Sequence, residues 1–144
     1  MTSDNAQDNA SAELCKAQAA LKAARALANI KLFDDAASRL YYAVFHLVSA
    51  ALVILGVQAQ SHGGVASLLG QHLIKPGLVP AEVGRNFASL MGLRSQADYN
   101  RHFAMDAEGF AEEMTRAEAL FTLLEKFLTE RGVVGVPLTR ASAG

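Results

Sequence analysis

The residues best suited to chemistry form a polar cluster near the end of an otherwise apolar helical pattern. The members of this cluster are Arg94, Asp98, Tyr99, Arg101 and His102. A guanidinium group binds phosphate through its planar fork of N–H donors, and an imidazole can transfer a proton near neutral pH. An arginine that stabilises phosphate charge and a histidine that acts as general acid or base could together cleave a phosphodiester without a metal. We therefore interpret Arg94 and His102 as candidate catalytic residues.

Arg94 also has a purely structural interpretation. At helical spacing it falls on one line with a set of mostly apolar residues: Val83, Phe87, Leu90, Ala97 and Arg101. This line should face the core, where an arginine is costly unless it is paired or open to a solvent cleft. In the structural alternative, Arg94 pairs with Asp98 one turn later, or with a carboxylate of another helix such as Asp35. From the residues alone, both interpretations stay open.

A second polar set lies on an earlier helical segment. Arg39, Tyr42 and His46 are separated by three and four residues, so they share one helix face. Tyrosine and histidine in such positions often satisfy hydrogen bonds inside a bundle or across a dimer interface. The alternative is that the three residues line the same groove as Arg94.

The remaining residue types do not support a metal site or a nucleotide-binding loop. The four histidines show neither zinc-site spacing nor a helical His-Glu motif: they are His46, His62, His72 and His102. Gly63 and Gly64 lack the preceding strand and the following Lys-Ser or Lys-Thr pair of a phosphate-binding loop. We predict no metal and no cofactor.

The elements that must position these residues are predicted to be helices. Hydrophobic residues make up 51% of the 144 residues, with three prolines and no tryptophan, and apolar residues recur at helical spacing. The predicted helices span about 11–30, Asp34 to Gly56, Val65 to near Pro76 and Gly77, Pro80 onward, and Asp106 to near Gly132. The sequence therefore predicts an all-α protein, an antiparallel up-and-down bundle of four to five helices.

Asp34 and Asp35 are predicted to cap the second helix and to place negative charge in its first turn. The last helix is predicted to turn an apolar face inward, made of Phe110, Met114, Ala117, Leu120, Phe121, Leu124 and Phe127. Its outward face is predicted to carry Glu112, Glu113, Glu125 and Lys126.

Both ends of the chain lack a helical period, so we predict a disordered segment over 1–10, a helical bundle over 11–131 and a flexible tail over 132–144. Residues 40–74 contain no Asp, Glu, Lys or Arg. The strongly apolar part runs from Leu40 to Val57, and its length is at the lower limit for a membrane span. This short length favours a buried core helix or a helix at a subunit interface.

The single cysteine, Cys15, allows no intramolecular disulfide, and the first residues lack a signal-peptide pattern. These features predict a soluble cytoplasmic protein without a membrane span. The formal net charge is −1, so any nucleic-acid site must be a local feature of the surface.

Taken in order, four segments resemble HEPN domain proteins, in particular small stand-alone members that are often encoded beside a minimal nucleotidyltransferase. The segments are 33–46 (FDDAASRLYYAVFH), 61–65 (SHGGV), 84–85 (GR) and 94–99 (RSQADY). The similarity extends from about residue 13 to 130. The resemblance implies a helical bundle that forms homodimers, with a groove at the dimer interface used for RNA.

The resemblance also implies a catalytic motif. Active HEPN ribonucleases carry an arginine, usually followed by a polar residue, and a histidine after four to six further residues. Arg94 and Ser95 match the beginning of this motif, but seven residues separate Arg94 from His102. Members with the run found here at Ala97, Asp98 and Tyr99 often lack a matching histidine.

The resulting prediction is an RNA- or nucleotide-associated protein, the toxin-like half of a pair with a nucleotidyltransferase antitoxin, and a candidate metal-independent endoribonuclease. The predicted RNA- or nucleotide-binding residues are Arg39, Tyr42, His46, His62, Arg85, Asp98, Tyr99 and Arg101. Tyr42 and Tyr99 are conceivable sites for nucleotide transfer by the partner. The alternative is a non-catalytic dimeric helical scaffold whose apolar second helix binds a partner.

Overall fold

The computed structural model describes residues 2–135, apart from the side chains of residues 2–4, His62 and Asp98. In this part of the chain there are five α-helices and no strand. The helices are α1 (Thr2–Asn29), α2 (Phe33–Ile54), α3 (His62–Leu69), α4 (Ala81–Tyr99) and α5 (Ala107–Glu130). One π-helical turn, Gly70–Ile74, continues α3 directly. The predicted all-α bundle is confirmed.

α2 is the central helix, because it packs against α1, α3, α4 and α5. Most faces of α2 carry apolar residues, and Leu40, Val44 and Leu47 are fully buried. By length and composition alone α2 could cross a membrane, but most of it is buried inside the bundle. This burial explains the apolar run as the core helix of a folded domain.

The structure corrects the start of the first helix. α1 begins at Thr2, although the sequence predicted disorder over 1–10 and a helix from about residue 11. In this early part Gln7 Nε2 donates a hydrogen bond to the Arg131 carbonyl oxygen at 3.2 Å. Contacts with the segment that follows α5 thus stabilise the first residues of α1, in which apolar residues do not recur clearly at helical spacing.

The first residues of the predicted flexible tail over 132–144 contact α1. Val133 is buried, and Ser11 Oγ donates a hydrogen bond to the Val134 carbonyl oxygen. These contacts dock the segment that follows α5 onto α1. Residues 136–144 of the predicted tail lie outside the described part of the chain.

The start of α5 is as predicted; at the start of α2 the acidic first turn is as predicted, but the side-chain cap is not. Asp106 caps α5, since its Oδ1 accepts the Gly109 N–H at 2.7 Å. At α2 the N-cap position is Leu32, which forms no side-chain cap. Asp34 Oδ1 instead accepts the Met105 N–H at 2.7 Å, so this carboxylate fixes the loop between α4 and α5.

Candidate functional site

Two adjoining cavities lie between the first half of α2 and the C-terminal end of α4. The first has a volume of about 340 Å³, and we call it the cationic cavity; it is lined by Ser38, Arg39, Tyr41, Tyr42, Arg94 and Ala97. The second has a volume of about 210 Å³, and we call it the acidic cavity; it is lined by Asp34, Ala37, Ser38, Tyr41, Ala97 and Phe103. Because Ser38, Tyr41 and Ala97 line both, the cavities form one continuous α2–α4 cleft.

Helical spacing on α2 supplies one wall of the cationic cavity. Ser38, Tyr41 and Tyr42 are three and four residues apart, so they project from neighbouring positions on one face. The Arg39 guanidinium carbon lies 4.5 Å from the centre of the Tyr42 ring. This cation–π contact holds a half-buried positive charge beside an exposed aromatic ring.

Arg94 supplies the opposite wall from α4. Val83, Phe87 and Leu90 are buried as predicted, and Arg94 continues their line at the point where α4 leaves the core. Arg94 is half-buried and lines the cationic cavity. The predicted convergence of Arg39, Tyr42 and Arg94 on one groove is therefore present in the structure.

Tyr41 forms the buried base shared by both cavities. Only 2% of its surface is exposed, and its hydroxyl has no hydrogen-bond partner among the residues that the structure describes. Burial raises the pKa of this phenol well above its usual range, and the nearby Glu113 carboxylate raises it further. A buried hydroxyl without a partner costs about 1–3 kcal/mol, and this one lies inside the bundle on the side of Glu113.

Glu113 was predicted to face outward, and the structure places it 2% exposed inside the bundle. Glu113 follows Phe110 by three residues and precedes Ala117 by four, so it lies on the same buried face of α5 as Phe110, Ala117 and Leu120. Helical spacing places Glu113 on the buried face of α5, whereas its charge led to the prediction of an exposed position. Arg116 Nη1 donates to Glu113 Oε2 at 2.8 Å and so partly compensates the buried charge.

His46 does not line the α2–α4 cleft, in contrast to the prediction that grouped it with Arg94. It is buried, and its Nδ1 lies 2.5 Å from Glu13 Oε1 on α1. Its ring also packs edge-on against Tyr42, with 4.2 Å between ring centres. His46 therefore has the structural role that the sequence left open, a polar contact inside the bundle.

The end of α4 separates His102 and Arg101 from the line of Arg94. α4 ends at Tyr99, and Asn100 adopts an extended backbone conformation while its Oδ1 accepts the His102 N–H at 3.0 Å. This local hydrogen bond competes with continuation of the helix. Arg101 and His102 are exposed, and neither lines the two cavities.

Two of the other predicted contact residues, Arg85 and Tyr99, do not line the α2–α4 cleft. Arg85 is exposed nine positions before Arg94, which corresponds to a rotation of about 180° to the opposite side of α4. Tyr99 is 89% exposed at the end of α4 and does not line the cleft. The side chains of His62 and Asp98 lie outside the described part of the structure.

A larger cavity of about 470 Å³ lies on another side of the bundle, between α1 and the segment that follows α2. Glu13 and Lys16 both line it, so their opposite charges offset each other. Among the side chains that the structure describes, no three His, Cys, Asp or Glu residues are grouped closely enough to hold a metal ion. The α2–α4 cleft is therefore the candidate site with concentrated positive charge.

Comparison with known proteins yields relatives over most of the chain. The UPF0332 protein glr0978 of Gloeobacter violaceus is 43% identical over 84 residues, which cover 58% of this chain and 67% of that protein. A UPF0332 protein of Thermotoga maritima is 27% identical over 115 residues, 80% of this chain and 87% of the relative.

A protein of Methanocaldococcus jannaschii named "Putative toxin MJ0605" is 32% identical over 111 residues, 76% of this chain and 81% of that protein. The profile of the HEPN domain matches residues 10–129, a range that includes α2, α3, α4, all of α5 but its last residue, and the whole α2–α4 cleft. With this match the resemblance of the sequence segments is confirmed, and the chain belongs to the HEPN domain family.

Proposed function

We propose that this HEPN protein binds RNA through the cationic cavity and acts as the toxin-like half of a toxin–antitoxin pair. The observation that carries the proposal is the convergence of Arg39 and Arg94, from two different helices, on one cavity beside Tyr42. Two guanidinium groups can bind one phosphate through charge-assisted hydrogen bonds. An exposed tyrosine ring adds a surface on which a base can stack.

The toxin-like role is supported by relatives whose names contain the word toxin, from Methanocaldococcus jannaschii. The resemblance to HEPN proteins that are encoded beside nucleotidyltransferases supports such an enzyme as the antitoxin. RNA as the target fits the cytoplasmic location that we propose. It also fits a protein of net charge −1 whose attraction for phosphate must be local.

Cleavage of RNA needs a group that transfers protons in addition to the arginines that stabilise phosphate charge. We assign this role to His102, which is exposed outside the cleft of its own chain. The proposal therefore requires a homodimer in which His102 of one copy reaches the cleft of the other. No metal takes part in this proposed reaction.

The test is binding and cleavage of a labelled structured RNA in EDTA by the wild type and by Arg94→Ala, His102→Ala and Arg25→Ala. Arg25 is the matched control, because its guanidinium pairs with Glu118 at 2.9 Å and lines neither cavity of the cleft. Circular dichroism and size-exclusion chromatography verify that the variants share the fold and oligomeric state of the wild type.

We expect Arg94→Ala to weaken RNA binding roughly 10- to 100-fold, since it removes a charged hydrogen-bonding group, and Arg25→Ala to bind like the wild type. His102→Ala should retain binding and lose cleavage. Equal RNA binding by Arg94→Ala and the wild type would overturn the proposal.

A second candidate function is a non-catalytic RNA-binding module. It is favoured by the position of His102, which lies outside both cavities within one chain. Under this function the wild type binds RNA without cutting it, and His102→Ala behaves like the wild type in both assays.

A further inference from the structure

The α2–α4 cleft has chemically different ends. Arg39 and Arg94 line the cationic cavity, whereas Asp34 and Phe103 line the acidic cavity. Ser38 lies on the boundary that both cavities share. A ligand that spans the cleft must therefore combine an anionic group with a part that suits a carboxylate and an aromatic ring.

The acidic cavity is held in a defined geometry. Asp34 Oδ1 accepts the Met105 N–H at 2.7 Å, which fixes the carboxylate against the loop that follows α4. The turn that precedes this contact is closed by a hydrogen bond from the Phe103 N–H to the Asn100 carbonyl oxygen at 2.9 Å. The half-buried Phe103 ring thus lies in an ordered turn beside a fixed carboxylate.

The lining of the acidic cavity supplies three complementary groups. Phe103 contributes an aromatic ring, Asp34 a carboxylate and Ser38 a hydroxyl. Together these groups complement a planar heterocycle that carries N–H donors at its edge.

We propose that the acidic cavity is a nucleobase subsite, which rests on the proposed function of the cationic cavity as the phosphate site. The base of the bound nucleotide packs against Phe103 and donates an amino N–H to Asp34. The carboxylate repels phosphate, so the nucleotide has one orientation, with its phosphate between Arg39 and Arg94.

This subsite distinguishes cytosine from uracil at position 4 of the ring. Cytosine carries an amino donor there, which a carboxylate accepts, whereas uracil carries a carbonyl oxygen, which a carboxylate repels. The same recognition applies to free cytidine monophosphate (CMP) and to a cytidine within an RNA strand. We expect CMP to bind about fivefold or more tightly than uridine monophosphate (UMP).

The experiment is isothermal titration calorimetry of the full chain with ribose 5-phosphate, CMP, UMP, and the single-stranded hexanucleotides of cytidine and uridine. Asp34→Asn keeps an oxygen for the Met105 N–H and replaces one acceptor with an N–H donor. We expect this variant to lose or reverse the preference for CMP. We expect Phe103→Leu to weaken CMP binding about fivefold or more, since stacking is lost, while Phe103→Tyr retains it.

Ribose 5-phosphate separates the subsite from the phosphate site. Its binding should be unchanged by Phe103→Leu and weakened by Arg94→Ala, with Arg25→Ala as the matched control. If Arg94→Ala weakens all ligands but Phe103→Leu and Asp34→Asn alter none, the nucleobase subsite is overturned and the phosphate site stands. If Arg94→Ala changes nothing, both fail. If the hexanucleotides bind with this dependence on Phe103 and Asp34 but CMP does not, the subsite is supported and its ligand is RNA rather than a free nucleotide.

Discussion

Glu113 places a carboxylate behind the cleft, where the α5 pattern would otherwise bury an apolar side chain. Burial raises the pKa of this carboxyl, Arg116 opposes the shift, and Glu112 adds to it. Tyr41 faces Glu113 from α2, and Glu113 Oε1 has no hydrogen-bond partner among the described residues. The charged form of Glu113 is therefore less favourable in the folded protein than in the unfolded chain.

This shift predicts how stability depends on pH. Because the folded pKa of Glu113 lies above the unfolded value near 4.5, its contribution to stability is fully present below that value and is lost as pH rises through the folded pKa. Glu113→Gln keeps an oxygen for Arg116 and removes the charge. We expect the wild type to lose stability relative to Glu113→Gln as pH rises from about 4 to 7.

Urea denaturation of both proteins across this pH range measures the difference in the free energy of unfolding. Arg116 opposes the shift through its charge and its hydrogen bond, so it reduces the size of the effect without reversing its sign. A difference that does not change with pH, or that favours the wild type as pH rises, would contradict the assignment.

At the residue scale, the sequence predicted the positions that follow from helical spacing alone. Arg39, Tyr42 and Arg94 line one cavity, which was one of the two alternatives for this set, because each lies inside a helix. Asp34 was predicted as a cap and instead accepts the Met105 N–H. A hydrogen bond to a loop about 70 residues away leaves no signal in a local pattern.

At the level of the helices, the turns after α1 and α2 close in the same way with different residues. After α1, Lys31 has φ 65°, and the Leu32 N–H donates to the Leu27 carbonyl oxygen at 3.0 Å. After α2, Gly56 has φ 78° and occupies the corresponding position. This arrangement is a Schellman motif, which favours glycine because a side chain strains the left-handed conformation.

We therefore expect opposite effects of two substitutions. Lys31→Gly should raise the free energy of unfolding by up to about 1 kcal/mol, the strain relief being partly offset by the greater freedom of glycine in the unfolded chain. Gly56→Ala should lower it by about 1 kcal/mol, and the effect is conformational because an added Cβ would meet no atom within 4 Å.

Thermal and urea denaturation of the two variants measure both changes. Equal signs for the two substitutions would contradict this account of the helix ends.

The ends of α1 and α4 were harder to predict than their centres. The sequence does not reveal that the segment after α5 packs on α1, so the helical state of the first residues depends on tertiary contacts. At the end of α4, the Asn100 side chain competes with the helix for a backbone N–H. Helical spacing placed Arg101 on the same helix face as Arg94. Because α4 ends before Arg101, neither Arg101 nor His102 lies on that face.

For the whole molecule, the apolar character of α2 and the cleft have a common origin. α2 packs against four other helices, so most of its faces are buried, and its first half contributes residues to the cleft at the surface. The central helix therefore fixes the position of Arg39 and Tyr42 relative to Arg94. A bundle of net charge −1 thereby brings two guanidinium groups to one cavity.

The proposed phosphate site requires that Arg39 and Arg94 bind the same phosphate group of RNA. The most direct measurement is the set of arginine Nε–Hε correlations in the NMR spectrum of ¹⁵N-labelled protein, titrated with single-stranded hexacytidylate and assigned with Arg39→Lys, Arg94→Lys and Arg25→Lys. We predict that the Arg39 and Arg94 signals shift together with one Kd while the Arg25 signal stays fixed. Binding of this RNA without any shift of Arg39 and Arg94 would contradict the account.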